Sequence, residues 1–152
     1  MVDSAAGIRE SGVYLPRLRL ERAAIAAATH WAKGARGRKA GGQRSCCNWD
    51  EDSVTMAVEA ARNCLTGRGR SSVESLALAS TTLPFADRSN AVVVATALDL
   101  GESTAVADVA SCQRAGTSAL LSALQRQASA GDALVVASDR RVARPGSDQE
   151  MN

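Results

Sequence analysis

Residues 108–124 read DVASCQRAGTSALLSAL: small and β-branched residues, a cysteine at 112, then an Ala/Leu-rich stretch with Gly116 near its start. The pattern predicts a strand that turns directly into a helix at Cys112. At such a junction the N–H groups of the first helical turn lack intrahelical partners, and with the helix dipole they favour a thiolate. Cys112 is therefore a candidate nucleophile. The same position suits a small buried side chain filling a strand–helix corner, since free cysteine is often buried and inert. The local sequence leaves both readings open.

Working outward, ALVVAS (Ala133–Ser138) and SLALAS (Ser75–Ser80) are short apolar runs that predict buried strands, with another at Thr104–Val109. Helices are expected over Arg114–Ala130 with Gly131 as its stop, over Ser89–Leu100 closed by Gly101, and over Asn48–Leu65. The last has the clearest period: Val54, Ala57, Val58, Ala61 and Leu65 share a face, Asn48 or Asp50 can cap it, and Glu51 and Asp52 charge its first turn. Gly7–Leu15 reads as a first strand closed by Pro16, and Leu20–Trp31 as a helix. Strands alternating with helices imply parallel βαβ units with right-handed crossovers. The expected class is α/β, a mostly parallel sheet with helices on both faces (βαβαβαβ).

At 152 residues the chain fits one domain, 1–152, large enough to bury a core. Hydrophobic residues make up 45% and aromatic ones only 3%, so that core is built from Ala, Val and Leu. A net charge of +2 demands no polyanion, and no nucleic-acid partner is expected. The four cysteines, 46, 47, 64 and 112, form no CxxC pair, so no metal site is expected. No apolar run resembles a signal peptide or a membrane span, and the expected setting is cytoplasmic and reducing.

Residues 33–47 form a basic, Gly-rich stretch expected to be a loop, and 145–152 a loose tail. The arginines from Arg36 to Arg44 could attract the phosphates of a nucleotide-bearing substrate, although no GxxxxGK[ST] or GxGxxG is present. A solvated connection is the simpler reading. His30, the only histidine, stands at a helix end, where interaction with the last carbonyls is commoner than catalysis. Glu59 reads as a solvated face and Cys64 as packing.

Four segments, DEDSVTMAVEAARNCL, STTLPFADRSN, DVASCQRAGTSALLSAL and ALVVASDRRVARPGSD, together resemble the N-terminal half of the hydroxymethylglutaryl-CoA synthase branch of the thiolase superfamily. They also resemble the bacterial and archaeal synthase-like proteins that work with a zinc-ribbon/OB-fold companion. The resemblance implies a thiolase-like half, acyl transfer and Claisen-type condensation on acyl-CoA, and a homo- or hetero-oligomer. Coenzyme A enters as part of the substrate and no separate cofactor is implied.

On that resemblance the catalytic candidates are Cys112 and Gln113, and Arg114, Gly116 and Thr82 are substrate-binding candidates. The archaeal-type pattern is Cys-Lys-Ala-Gly-Thr, so counting back from Ala115, Gly116 and Thr117 puts the nucleophile's place at Gln113, one residue after Cys112. Glutamine at that place resembles condensing-enzyme relatives that decarboxylate or only assist a partner. The family's Thr-Glu-Ser, whose glutamate removes a proton, is matched here by Ser80, Thr81 and Thr82, with Asp87 the next carboxylate along. The family's catalytic histidine lies in its second half, so a second thiolase-like half is the expected partner. The alternative is an inactive thiolase-like scaffold subunit or a truncated fragment.

Overall fold

The computed structural model describes residues 7–31, 41–67, 69–110, 112–126 and 131–147. In chain order the elements are β1 (Leu18–Glu21), α1 (Arg22–Ala28), β2 (Gln43–Cys46), α2 (Ser53–Cys64), β3 (Val73–Ala79), α3 (Asn90–Ala97), β4 (Ala105–Val109), α4 (Ala115–Gln125) and β5 (Asp132–Ala137). They fall into two compact units, one within residues 1–14 and 52–139, the other within 15–51 and 140–152.

The larger unit is built on a three-stranded sheet ordered β4-β3-β5, with both neighbours parallel to β3. Going from β3 through α3 to β4 moves one way across the sheet, and going from β4 through α4 to β5 moves the other way. Right-handed crossovers in opposite directions place α3 and α4 on opposite faces. Helix α2 packs on α3 and so shares its face. The core between these layers joins Val54, Ala57, Val58 and Ala61 of α2 to Leu76 and Leu78 of β3, Ala91 and Val94 of α3, and Leu134 and Val136 of β5. On the α4 face the buried cluster is small, Ala79 with Ala115 and Ala119. An α/β fold with a parallel sheet covered on both faces is what the hydrophobic pattern predicts.

Element ends differ from expectation for local reasons. Helix α2 starts at Ser53 because Asp52 makes a reciprocal cap with Thr55: Thr55 N donates to Asp52 Oδ1 at 2.8 Å and Asp52 N to Thr55 Oγ1 at 2.8 Å. Asn48 and Glu51 instead close a separate turn, with Asn48 N donating to Glu51 Oε2. Helix α3 ends on Leu98, and Asp99 takes the left-handed turn at φ 56° that was expected of Gly101. Helix α4 is described to Gln125; residues 127–130 of the expected helix lie outside the described residues.

The segment Gly7–Leu15 forms no strand. Its residues up to Val13 are exposed. It is tied down at Gly12, where a Cβ would run into the backbone N of Cys64 and lie 2.6 Å from the carbonyl of Ala60. Next to it, Asn63 Nδ2 donates to Val13 O at 2.9 Å. Docking on helix backbone replaces the ladder that an isolated strand lacks.

In the smaller unit, β1 and β2 pair antiparallel from Leu18 opposite Cys46 to Glu21 opposite Gln43. This corrects two expectations. Residues 43–46 of the stretch taken as a loop are a strand, and helix α1 starts only at Arg22, after β1 has ended at Glu21. Antiparallel pairing needs only a facing partner, which local composition does not reveal. Residues 32–40, including Arg36, lie outside the described residues, as do 148–152 of the expected tail; Ser147 N closes a turn on Arg144 O at 3.0 Å. His30 Nδ1 donates to the carbonyl of Ala27 at 2.8 Å, the helix-end role expected of it. Among the described residues, no helix is long and apolar enough to cross a membrane.

Gly12→Ala is expected to destabilise the larger unit by about 1–3 kcal/mol, because backbone on both sides has to move. Gly7→Ala, where nothing lies within 4 Å of the added carbon, is expected to leave stability unchanged. Urea unfolding midpoints of the two variants against the parent chain check this.

Candidate functional site

Because β3, β4 and β5 are parallel and in register, with Ala79 opposite both Val109 and Ala137, their carboxyl ends come out along one edge. The ladder continues one residue further: Ser80 N donates to Val109 O and Ser138 N to Ala79 O, each at 3.1 Å. Crevices outside the carboxyl ends of strands are where open α/β sheets bind ligands. Three loops leave the sheet at this edge: Ser80-Thr81-Thr82, the turn that holds Cys112, Gln113 and Arg114, and Ser138-Asp139.

Cys112 lies in the turn between β4 and α4, and its carbonyl accepts from Ala115 N at 3.0 Å. Its thiol is free and exposed. Gln113 and Arg114 follow in the same turn and are also exposed, so the chain presents the two candidate catalytic side chains together. Arg114 is the residue preceding α4, and among the described residues no side chain caps that helix. The first-turn N–H groups are thus left to other acceptors. Gly116 lies where α4 approaches β5: a Cβ there would be 3.2 Å from the Cβ of Ala137. A small residue permits that approach.

The residue that sequence reasoning missed is Asp139. Its Oδ1 accepts from Thr81 N at 2.7 Å, from Ser80 Oγ and Thr81 Oγ1 at 3.0 Å each, and from Thr82 Oγ1 at 3.4 Å. Thr82 N also donates to Ser80 Oγ at 3.0 Å, and Ser53 Oγ at the start of α2 donates to Thr82 O at 2.8 Å. The substrate-binding candidate Thr82 is therefore part of a hydroxyl cluster closed around one carboxylate. A signal was present, since an acidic residue directly follows the apolar run ALVVAS. Asp87 is exposed and lies 3.8 Å from its neighbour Arg88, away from that cluster's hydrogen bonds. Glu59 pairs with Arg62 at 2.6 Å on the solvent side of α2.

A second carboxylate was read only as part of a strand. Asp108 on β4 accepts from Asn90 N at 2.8 Å, Ala91 N at 2.6 Å and Asn90 Nδ2 at 3.1 Å, holding the start of α3. Asn90 is buried, and its amide takes both backbone groups of Phe85, N at 3.1 Å and O at 2.9 Å. The turn between β3 and α3 is thereby fastened, with the Arg88 guanidinium 4.8 Å over the Phe85 ring. Asp108 and Cys112 follow one another along β4 and its turn, and the parallel register brings Asp139, after β5, to the same edge.

No family model matches the chain. A hydroxymethylglutaryl-CoA synthase of Aeropyrum pernix is 32% identical over 155 residues, covering 99% of this chain and 43% of that protein. The chain thus spans less than half the length of this curated relative. Among solved structures, MvaS in complex with 3-hydroxy-3-methylglutaryl coenzyme A superposes with a TM-score of 0.77 at 24% identity, over 89% of this chain and 34% of that one. A variant of OleA from Xanthomonas campestris superposes with a TM-score of 0.76 at 19% identity, over 87% of this chain and 42% of that one. These two likenesses concern the fold, which is the parallel sheet and its helices described above. With the sequence match running nearly end to end along this chain, it is similar to part of the hydroxymethylglutaryl-CoA synthases, and its fold is thiolase-like.

Proposed function

We propose that this chain supplies the acyl-accepting cysteine of an acyl-CoA condensing enzyme, an acyltransferase that a second thiolase-like half completes. The observation carrying this reading is the free, exposed Cys112 at the carboxyl end of β4, just before a helix whose first turn no side chain of the described residues caps. The Cys112 thiolate attacks the thioester carbonyl of an acyl-CoA. Backbone N–H groups at the start of α4 hold the oxyanion, the carbon–sulfur bond to coenzyme A breaks, and the coenzyme leaves as its thiol with a proton from the site. Arg114 faces the anionic part of the substrate, and Gly116 leaves room for the pantetheine arm or a neighbouring backbone. Thr82 lines the opposite loop.

Asp139 is a positioning residue in this scheme. An oxygen that already accepts from Thr81 N and the Ser80, Thr81 and Thr82 hydroxyls is engaged in ordering the loop after β3. The histidine that activates the carbon nucleophile comes from the completing polypeptide, with which the chain forms an oligomer. A zinc-ribbon/OB-fold protein is a further partner consistent with the resemblance. The second reading, a scaffold subunit without chemistry, is favoured by one observation: the Ala-Gly-Thr register puts Gln113 in the nucleophile's place.

Isotope-labelled acetyl-CoA, added to the chain assembled with its completing half, is expected to leave one acetyl group on Cys112, read by mass spectrometry. Cys112→Ala should carry none and Gln113→Ala should carry it still. An assembled complex in which Cys112 stays unmodified decides for the scaffold.

Asp139→Asn is expected to slow acetylation on the order of tenfold to a hundredfold while leaving the KM for acetyl-CoA unchanged, the mark of misplaced groups rather than lost affinity.

Alkylation adds an independent check. Burial first, and then the Glu51 carboxylate, push the Cys47 thiol above its ordinary range against the pull of Arg140. Iodoacetamide at pH 8 should therefore modify Cys112 before Cys47, and the lag of Cys47 should shrink as the pH is raised.

A further inference from the structure

Cys46 and Cys47 are adjacent in the smaller unit, and the proposed acyl transfer uses neither. Cys46 is the last residue of β2, fixed by its pairing opposite Leu18 of β1. Cys47 is anchored from the other side, because the turn after it is closed twice: Asn48 N donates to Glu51 Oε2 at 2.6 Å, and Glu51 N to Asn48 O at 3.2 Å. Both cysteines are thiols and both are half-buried, flanked by the exposed Ser45 and Asn48. Two reachable sulfurs on anchored backbone make a dithiol, and adjacent cysteines provide it without the CxxC spacing.

The pair is ill suited to a disulfide with itself. Residues joined by a trans peptide have Cα atoms about 3.8 Å apart, whereas a relaxed disulfide spans about 4.4–6.8 Å, and none of the described peptide bonds is cis. A centre bonded to both sulfurs lengthens the bridge by one atom and lifts that restriction. Among the described residues no third His, Cys, Asp or Glu joins the pair in a group able to hold a metal ion, so a zinc site with three or four protein ligands is not built there. A soft centre that two thiolates satisfy is required. Charge narrows the choice. Burial first, and then the Glu51 carboxylate, disfavour an anion at Cys47, with Arg140 opposing them only in part. That counts against a monovalent copper ion held as a negatively charged dithiolate. Trivalent arsenic bonds two sulfurs covalently, keeps one substituent of its own and leaves the site neutral. Its pyramidal bonds also suit the short spacing of adjacent residues, where a linear ion needs the sulfurs held apart.

We propose that Cys46 and Cys47 form a binding site for trivalent arsenicals, closed by a bond from arsenic to each sulfur. With phenylarsine oxide the two S–H bonds and the arsenic–oxygen bond break, two arsenic–sulfur bonds form, and the oxygen leaves with both protons as water. Arsenic stays trivalent, so no oxidant or reductant takes part. Arsenous acid reacts in the same way, releasing two waters and keeping one hydroxyl. Once one sulfur is bonded, the second reacts within the same molecule, so the pair binds more tightly than a single thiol by about a hundredfold or more. Cys64 and Cys112 have no cysteine next to them in the chain. The inference stands apart from acyl transfer, since it makes no use of Cys112.

The test adds one equivalent of phenylarsine oxide to the folded 152-residue chain under argon, then iodoacetamide, and maps the alkylated cysteines by mass spectrometry. Cys46 and Cys47 should escape alkylation together while Cys64 and Cys112 react as they do without the arsenical, and 2,3-dimercaptopropanol should restore both. Cys46→Ser and Cys47→Ser should each weaken binding about a hundredfold or more, and Cys64→Ser should leave it unchanged. The peptide acetyl-Arg-Ser-Cys-Cys-Asn-Trp-amide, which copies residues 44–49, should bind at least about tenfold more weakly than the chain, because no strand or turn holds its thiols in place. Protection of Cys112 or Cys64, protection of only one of the adjacent pair, or equal binding by the peptide overturns the proposal. The alkylation map is read on the parent chain, so it decides the matter even where a serine variant does not fold.

Discussion

The hydrogen-bonded register of β3 with a parallel strand on each side is the constraint on which the larger unit depends. It sets Ala79 between Val109 and Ala137, so that all three chains leave the sheet at the same level. Parallel strands cannot be joined by tight hairpins, and each must be followed by a crossover. Every carboxyl end is therefore followed by a few irregular residues, and at this edge those are Ser80-Thr81-Thr82, the Cys112 turn and Ser138-Asp139. Crossovers of one hand running in opposite directions then cover both faces with helices.

Two carboxylates convert this frame into a defined edge. Asp108 and Asp139 each bind backbone N–H groups of another segment, and hydrogen bonds of this charge-assisted kind contribute about 1.5–3 kcal/mol each. Asp108 fixes where α3 begins and, through Asn90, how the turn after β3 is folded. Asp139 joins the end of β5 to the loop after β3. The apolar core holds the layers together, with Leu76, Leu78 and Val94 almost wholly buried, but it cannot choose among loop conformations. The polar fastenings do that, because they are directional.

Much of this was legible beforehand for an identifiable reason. The apolar face of α2, the short apolar runs at β3, β4 and β5, and the Cys112 junction are patterns of period 3.6 or 2, which burial writes into the chain locally. The family resemblance rested on those same segments and holds along nearly the whole chain. Three features left no such mark. Gly7–Leu15 has a strand's composition, yet it docks on α2 through Gly12. Residues 43–46 look like loop and pair with β1. Asp139 is one aspartate among many until its loop meets that of Ser80.

The amino-acid sequence alone determined the α/β class, the order of the main elements, the candidate nucleophile and the family resemblance, since each follows from residues close together in the chain. Only the tertiary structure decided which carboxylate meets the Ser80–Thr82 loop and where the first segment lies. Those outcomes depend on contacts between residues far apart in sequence, such as Thr81 with Asp139 and Gly12 with Cys64. Such contacts are chosen by geometry in three dimensions, and periodicity along one chain carries no record of them.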